Sequence, residues 1–166
     1  MTDKAHILSI VPVLMITLSA VAPATTQVPP KPPAVPPPAV IASQETNTQG
    51  VVAELIECRR KEGVLSIRVR LRSTGSGAVD YPIYRRDFGN YYVTAENKKY
   101  FMLKDSEGAW LATPPNPQDN LDAHIAAGQT FVWWAKFPAP PPAVKKINLV
   151  MPGVAPFEDV PVTDQQ

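Results

Sequence analysis

Residues 64–72 read Val-Leu-Ser-Ile-Arg-Val-Arg-Leu-Arg, with Leu65, Ile67, Val69 and Leu71 at every second position and Ser66, Arg68, Arg70 and Arg72 between them. Side chains of a strand alternate between the faces of a sheet, so this spacing collects the apolar residues on one side; a helix would scatter them around its girth. The segment is therefore predicted as a half-buried strand with a basic outer stripe. The same reading predicts strands at 51–58, 79–84, 91–95, 99–103, 130–137, 145–150 and 157–162. Between them lie turns rich in Gly, Asn, Asp and Pro at 60–63, 96–98, 105–108 and 126–129, and a loop at 73–77. Twenty prolines in 166 residues interrupt the chain too often for long helices, because proline lacks the backbone donor a helix needs. The expected fold class is all-β: seven or eight short strands in two antiparallel sheets, an immunoglobulin-like β-sandwich over residues 51–162.

Alternation also assigns the adjacent aromatics. Trp133 and Trp134 must project to opposite faces of their strand, so both cannot be core. Phe131, Trp133, Ala135 and Phe137 form the apolar set and point inward; Val132, Trp134 and Lys136 point outward. In the same way Tyr91 and Val93 face in, Tyr92 and Thr94 out. An outward Trp134 and Tyr92 are amphipathic anchors of the kind that dominate protein interfaces. The competing reading covers Trp134 from within the chain, by an Arg stem of the 68–72 stripe or by the proline tract. Arg85 and Arg86, between Tyr84 and Phe88, form a second basic and aromatic cluster expected in an inter-strand loop. They complete the candidate partner-binding set of Trp134, Tyr92, Arg85 and Arg86. The proline-rich loop at 113–120 is a further place where contacts are expected.

The start of the chain speaks to location. Lys4 precedes a sixteen-residue apolar run at 7–22, and small residues follow at Ser19, Ala20, Ala22 and Ala24, the pattern of a secretory signal. Pro23 behind Ala22 disfavours cleavage there, so the signal is expected to span 1–24. An uncleaved anchor is the alternative, although the run contains Pro12 and is shorter than the ~20 residues a bilayer span needs. Residues 25–50 are expected to form a disordered proline-rich spacer. Its tract at 28–40, as polyproline II at ~3.1 Å per residue, would reach roughly 40 Å; Ser43 to Gly50 read as polar loop, and 163–166 as a disordered tail.

Chemistry has little to draw on. Cys58 is the single cysteine, which excludes an internal disulfide, and it lies too far from the apolar run to accept a lipoprotein lipid. His6 and His124 are the two histidines, and His6 would leave with the signal, so no imidazole-rich zinc site is expected. A Cys58–His124 nucleophile and base is conceivable, but Cys58 at the end of an apolar strand reads as an inert packed thiol. Asp105, Asp119 and Asp122 read as solvated loop residues or strand caps, and the 105–108 turn matches no calcium loop. Sixteen basic against fifteen acidic residues, net +1, carry none of the basic excess of a general nucleic-acid binder. Neither a catalytic residue nor a cofactor or metal is expected.

Several segments together resemble a known family. They are Leu71-Arg72-Ser73-Thr74-Gly75-Ser76, the aromatic strand running into an acidic turn from Tyr100 to Gly108, Ile125-Ala126-Ala127-Gly128-Gln129-Thr130, Phe137-Pro138-Ala139-Pro140-Pro141 and Ile147-Asn148-Leu149-Val150. Over about residues 51–162 they resemble the telokin-like, immunoglobulin-like domains of unknown function in exported bacterial envelope proteins and lipoproteins. The resemblance implies a sandwich fold and an envelope setting, and no reaction. The expected function is an exported, non-catalytic protein-interaction module, periplasmic or secreted, whose partner is an envelope or secreted protein. Two alternatives stay open: a membrane-anchored spacer that keeps its N-terminal segment in the bilayer, and a secreted inhibitor or enzyme.

Overall fold

The computed structural model describes residues 38–83, 85–113 and 121–165, with residues 85–87 and 121 described by backbone alone. The segment read as a signal (1–24), the spacer up to residue 37 and residues 114–120 of the proline loop lie outside the described residues.

In chain order the strands are β1 Ala42–Glu45, β2 Val51–Lys61, β3 Val64–Ser73, β4 Val79–Ile83, β5 Tyr92–Ala95, β6 Lys98–Phe101, β7 Leu121–Ile125, β8 Thr130–Pro138, β9 Lys146–Val150, β10 Phe157–Pro161 and β11 Thr163–Asp164. They form three sheets: β1-β2-β3-β8, with β11 added to β2; β10-β9-β5-β6; and the pair β4-β7. Every pairing between these strands is antiparallel except that of β11 with β2. The chain is all-β, and a 3-10 turn at Arg85–Asn90 is the helical element among the described residues.

One core lies under all three sheets. Leu55, Leu65, Ile67, Val69 and Leu71 meet Val93, Ile147, Leu149 and Phe157 of the second sheet and Ile83 and Ile125 of the third. The two larger sheets are laced along both sides. On one side the Asn47 amide donates to the Gly153 carbonyl (2.8 Å) and the Ala155 amide to Glu45 (3.1 Å). Gly153 has φ +76°, a left-handed value that glycine takes without strain, and a Cβ there would lie 2.9 Å from Asn47 Oδ1, so any other residue would be strained and would displace the Asn47 side chain. On the other side the Leu103 amide donates to Lys136 (2.8 Å), Lys136 to Leu111 (2.9 Å) and Thr113 to Trp134 (2.8 Å). These bonds cover the outer edge of β8, an edge that would otherwise invite pairing with other chains.

The β2–β3 hairpin explains the register. Lys61 pairs with Val64 across a two-residue turn in which Glu62 (φ 48°) and Gly63 (φ 76°) are both left-handed, the turn whose twist suits adjoining strands. Farther along, Leu55 pairs with Val69 but Glu57 with Arg68, a bulge at Ile56. The extra residue reverses the phase of β2. Val51, Ala53 and Leu55 face the core before it, Cys58 and Arg60 after it.

Three readings change. Residues 42–45, placed in the spacer, form β1 against Val52–Leu55, because β2 has an open edge there and backbone groups of any sequence can satisfy it. Residues 163–164, placed in the tail, form β11, held by Asp164 as described below. β7 was missed because Leu121, Ala123 and Ile125 alternate with only one small buried side chain between them, a weak apolar signal; it pairs with β4 in register from Val79↔Ile125 to Ile83↔Leu121. The described residues thus hold eleven strands where seven or eight were expected.

Candidate interaction face

The outer face of the first sheet is a grid set by register. Arg59, Ser66 and Lys136 lie side by side across β2, β3 and β8; the next row is Glu57, Arg68 and Trp134; the next is Glu54, Arg70 and Val132. Trp134 is 36% exposed and sits beside Arg68 in a shallow cleft of about 260 Å³ that Arg59 and Lys136 also line. Among the described residues its ring has neither an aromatic partner nor a cation over its face. Arg68, the stem nearest to covering it, turns toward Glu57 (Nη1 to Oε2, 3.8 Å), and Arg59 meets the same carboxylate at 3.1 Å.

The basic stripe read from β3 is half neutralised. Glu54 is buried on this face, and its two oxygens accept from Arg70 Nε (2.7 Å) and Arg72 Nε (2.8 Å). Burial pushes the Glu54 carboxyl up, but the hydrogen bonds and charges of Arg72 and Arg70 outweigh it and hold the group below its ordinary range. Register alone brings this carboxylate beneath the two arginines, and β3 by itself carries no sign of it.

Tyr92 lies on the outward face of the second sheet, beside Phe101 in the adjoining strand (ring centroids 6.0 Å apart) and under Lys99 Nζ, 4.2 Å from its ring. Phe101, 50% exposed, was not singled out from the sequence; extending the alternation of 99–103 from buried Tyr100 would have placed it outward. Since the two sheets share one core, Trp134 and Tyr92 face away from each other and do not form one site. Arg85 and Arg86 fall in the 3-10 turn Arg85–Asn90 instead of a loop, with side chains outside the described residues. Phe88 of that turn is buried against Tyr91 and Trp110, so its ring belongs to the core and not to a surface cluster with the arginines.

The structure does not assemble the Cys58–His124 pair. Cys58 faces the core, where desolvation pushes its thiol up to about 12, against a smaller lowering by Arg60. His124 faces solvent from β7, its Nδ1 2.7 Å from Asp80 Oδ1 on β4. Asp105 Oδ1 accepts from the Glu107 (2.9 Å) and Ala109 (2.8 Å) amides and closes a turn. Asp119 lies outside the described residues, and among those described no group of three His, Cys, Asp or Glu converges to hold a metal. The buried thiol makes a direct prediction. At pH 8 an aromatic disulfide reagent leaves Cys58 of the folded protein unlabelled and reacts with it once urea unfolds the chain. Labelling of the native protein as fast as of the unfolded chain would show that the thiol is not packed.

No protein-family model matches the chain, and no curated protein or solved structure does so either.

Proposed function

We propose that the chain is an exported, non-catalytic interaction module of the bacterial envelope, an immunoglobulin-like sandwich that engages an envelope or secreted protein through the outer face of its first sheet. The observation that carries the reading is Trp134: a large ring left 36% exposed on the outer face of the first sheet, with neither an aromatic ring nor a cation over it among the described residues. Burying such a ring on association removes apolar area from water at roughly 25 cal/mol per Å², which makes Trp a frequent hot spot. The apolar run at 7–22 and the proline tract that follows support export and a spacer, and the family resemblance supports the envelope setting.

Affinity capture from envelope extracts tests the proposal. The wild-type domain is expected to retain a discrete partner that Trp134→Ala loses, while the variant's unfolding free energy stays within about 0.5 kcal/mol of wild type, as for other surface changes. Identical partner sets for the two proteins would remove the face from consideration. Mass spectrometry of the mature protein tests export: a start at Thr25 is expected, and a retained Met1 would favour the membrane-anchored spacer.

A further inference from the structure

Resting on that reading of Trp134, we infer that its face takes an extended acidic peptide segment, one that presents an apolar residue and, two positions along, an Asp or Glu. Charge on this sheet is uneven. Around Glu54 the carboxylate has an arginine on each oxygen, whereas around Trp134 the three cations Arg59, Arg68 and Lys136 face the single carboxylate of Glu57. Lys136 has no ion-pair partner among the described residues. Two arginines share one carboxylate at Glu54, but three cations share one around the open ring, so the excess positive charge is greatest at the end of the sheet that bears Trp134, in a chain whose formal net charge is only +1. A ligand that buried the ring without supplying negative charge would leave these cations to be desolvated unpaired, which disfavours it.

The spacing favours a peptide. Trp134 and Lys136 are same-face neighbours on β8, about 6.8 Å apart along the strand, and side chains two apart in any extended peptide have that same repeat. An apolar residue over Trp134 thus brings a carboxylate at the second position over Lys136 and its neighbour Arg59, with Ser66 between them. Recognition runs through side chains from above, because residues 111–113 already occupy the backbone edge of β8.

The test titrates the whole protein with an end-capped nonapeptide, Ser-Leu-Ser-Glu-Ser-Leu-Ser-Glu-Ser, against a control with Lys in place of Glu and against an oligogalacturonate of similar charge. The acidic peptide is expected to bind, more weakly as salt is raised, and the Lys control not to bind. Trp134→Ala and Lys136→Glu are each expected to weaken binding at least about tenfold, and Lys98→Glu on the second sheet to leave it unchanged. Absence of peptide binding, equal binding of the Lys control, or indifference to Lys136→Glu overturns the inference. So does tighter binding of the oligogalacturonate, which assigns the face to an acidic polysaccharide. If peptide binding fails while capture from extracts still depends on Trp134, the acidic specificity alone falls. If the peptide binds as expected while capture is unaffected by Trp134→Ala, the envelope-module reading falls instead.

Discussion

Trp133→Ala lowers the unfolding free energy by about 3–5 kcal/mol, the cost of removing a large buried aromatic and leaving a cavity. Trp133 is 1% exposed. Its ring stacks on Tyr91 with centroids 5.4 Å apart and planes 25° apart, and Tyr91 in turn takes the edge of Phe88 at 5.3 Å, which meets Trp110 at 6.3 Å. The cluster joins β8 to the 3-10 turn and the approach to β5, so truncation loosens three elements at once. Domains of this size are held by about 5–15 kcal/mol in all; a loss of about 3–5 kcal/mol from that is visible in any urea titration. Among the described residues the indole Nε1 is buried without a hydrogen-bond partner, and an unsatisfied buried donor is itself a cost. Trp133→Phe removes that donor while keeping most of the ring, and is expected to cost less than half as much as the alanine change. Equal stabilities for Trp133→Ala and Trp134→Ala would mean that the phase of β8 is misassigned.

Arg60→Ala is expected to cost a comparable ~3–5 kcal/mol, because it strips the donor from several carbonyls of the 140–144 segment at once, and each buried acceptor left unsatisfied costs about 1–3 kcal/mol. Arg60 is 6% exposed. Its Nη1 donates to the carbonyls of Pro140 (3.0 Å), Pro141 (2.7 Å) and Val144 (3.2 Å), its Nη2 to Pro142 (3.2 Å), and its Nε to Asp164 Oδ1 (2.6 Å). A proline run has few amides of its own to satisfy nearby carbonyls, and a planar guanidinium with five donors fits several of them together. Lysine keeps the charge but not the fork, so Arg60→Lys is expected to fall between wild type and Arg60→Ala in chemical denaturation. If Arg60→Lys and Arg60→Ala both match wild type, the carbonyl cage contributes nothing to folding.

The same site sets an acid response. Hydrogen bonds from Arg60 and Lys145, aided by their charges, hold the Asp164 carboxyl at about 2, below its ordinary 3.8. Because the folded value is the depressed one, the stabilisation is fully present above pH 3.8 and is lost as pH falls toward 2. Protection of the Gln165 amide, which donates to the Arg60 carbonyl at 2.9 Å, measured against the unfolded exchange rate at the same pH, should fall across that window in wild type. Asp164→Asn should remove this pH dependence of protection; an unchanged profile would mean that another group governs the acid response.

Much of the fold was legible because alternation is local. Leu65, Ile67, Val69 and Leu71 face the core as their spacing requires, and Trp133 and Trp134 divide between inside and outside. Covalent geometry forces neighbouring strand side chains apart, whatever surrounds them. The candidate face was legible in Trp134, Lys136 and Arg68, which alternation turns outward, and hidden in Arg59 and Glu57. Arg59 and Glu57 reach it only because the bulge at Ile56 turns the second half of β2 over, and the adjacent apolar pair Leu55–Ile56 was its sole trace in the sequence. Phe88 shows the reverse case, a ring placed in a surface cluster by its neighbours and taken into the core by a 3-10 turn.

The positions of eight of the eleven strands among the described residues, the all-β class and the sidedness of strands such as β3 and β8 follow from residue order alone, because they depend on the period of one chain segment. Which carboxylate neutralises Arg70 and Arg72, which loop Arg60 holds, and where short strands such as β1 and β11 find partners were decided by tertiary structure. Those outcomes depend on register between segments as much as 104 residues apart, and a one-residue bulge in either strand changes every pairing beyond it.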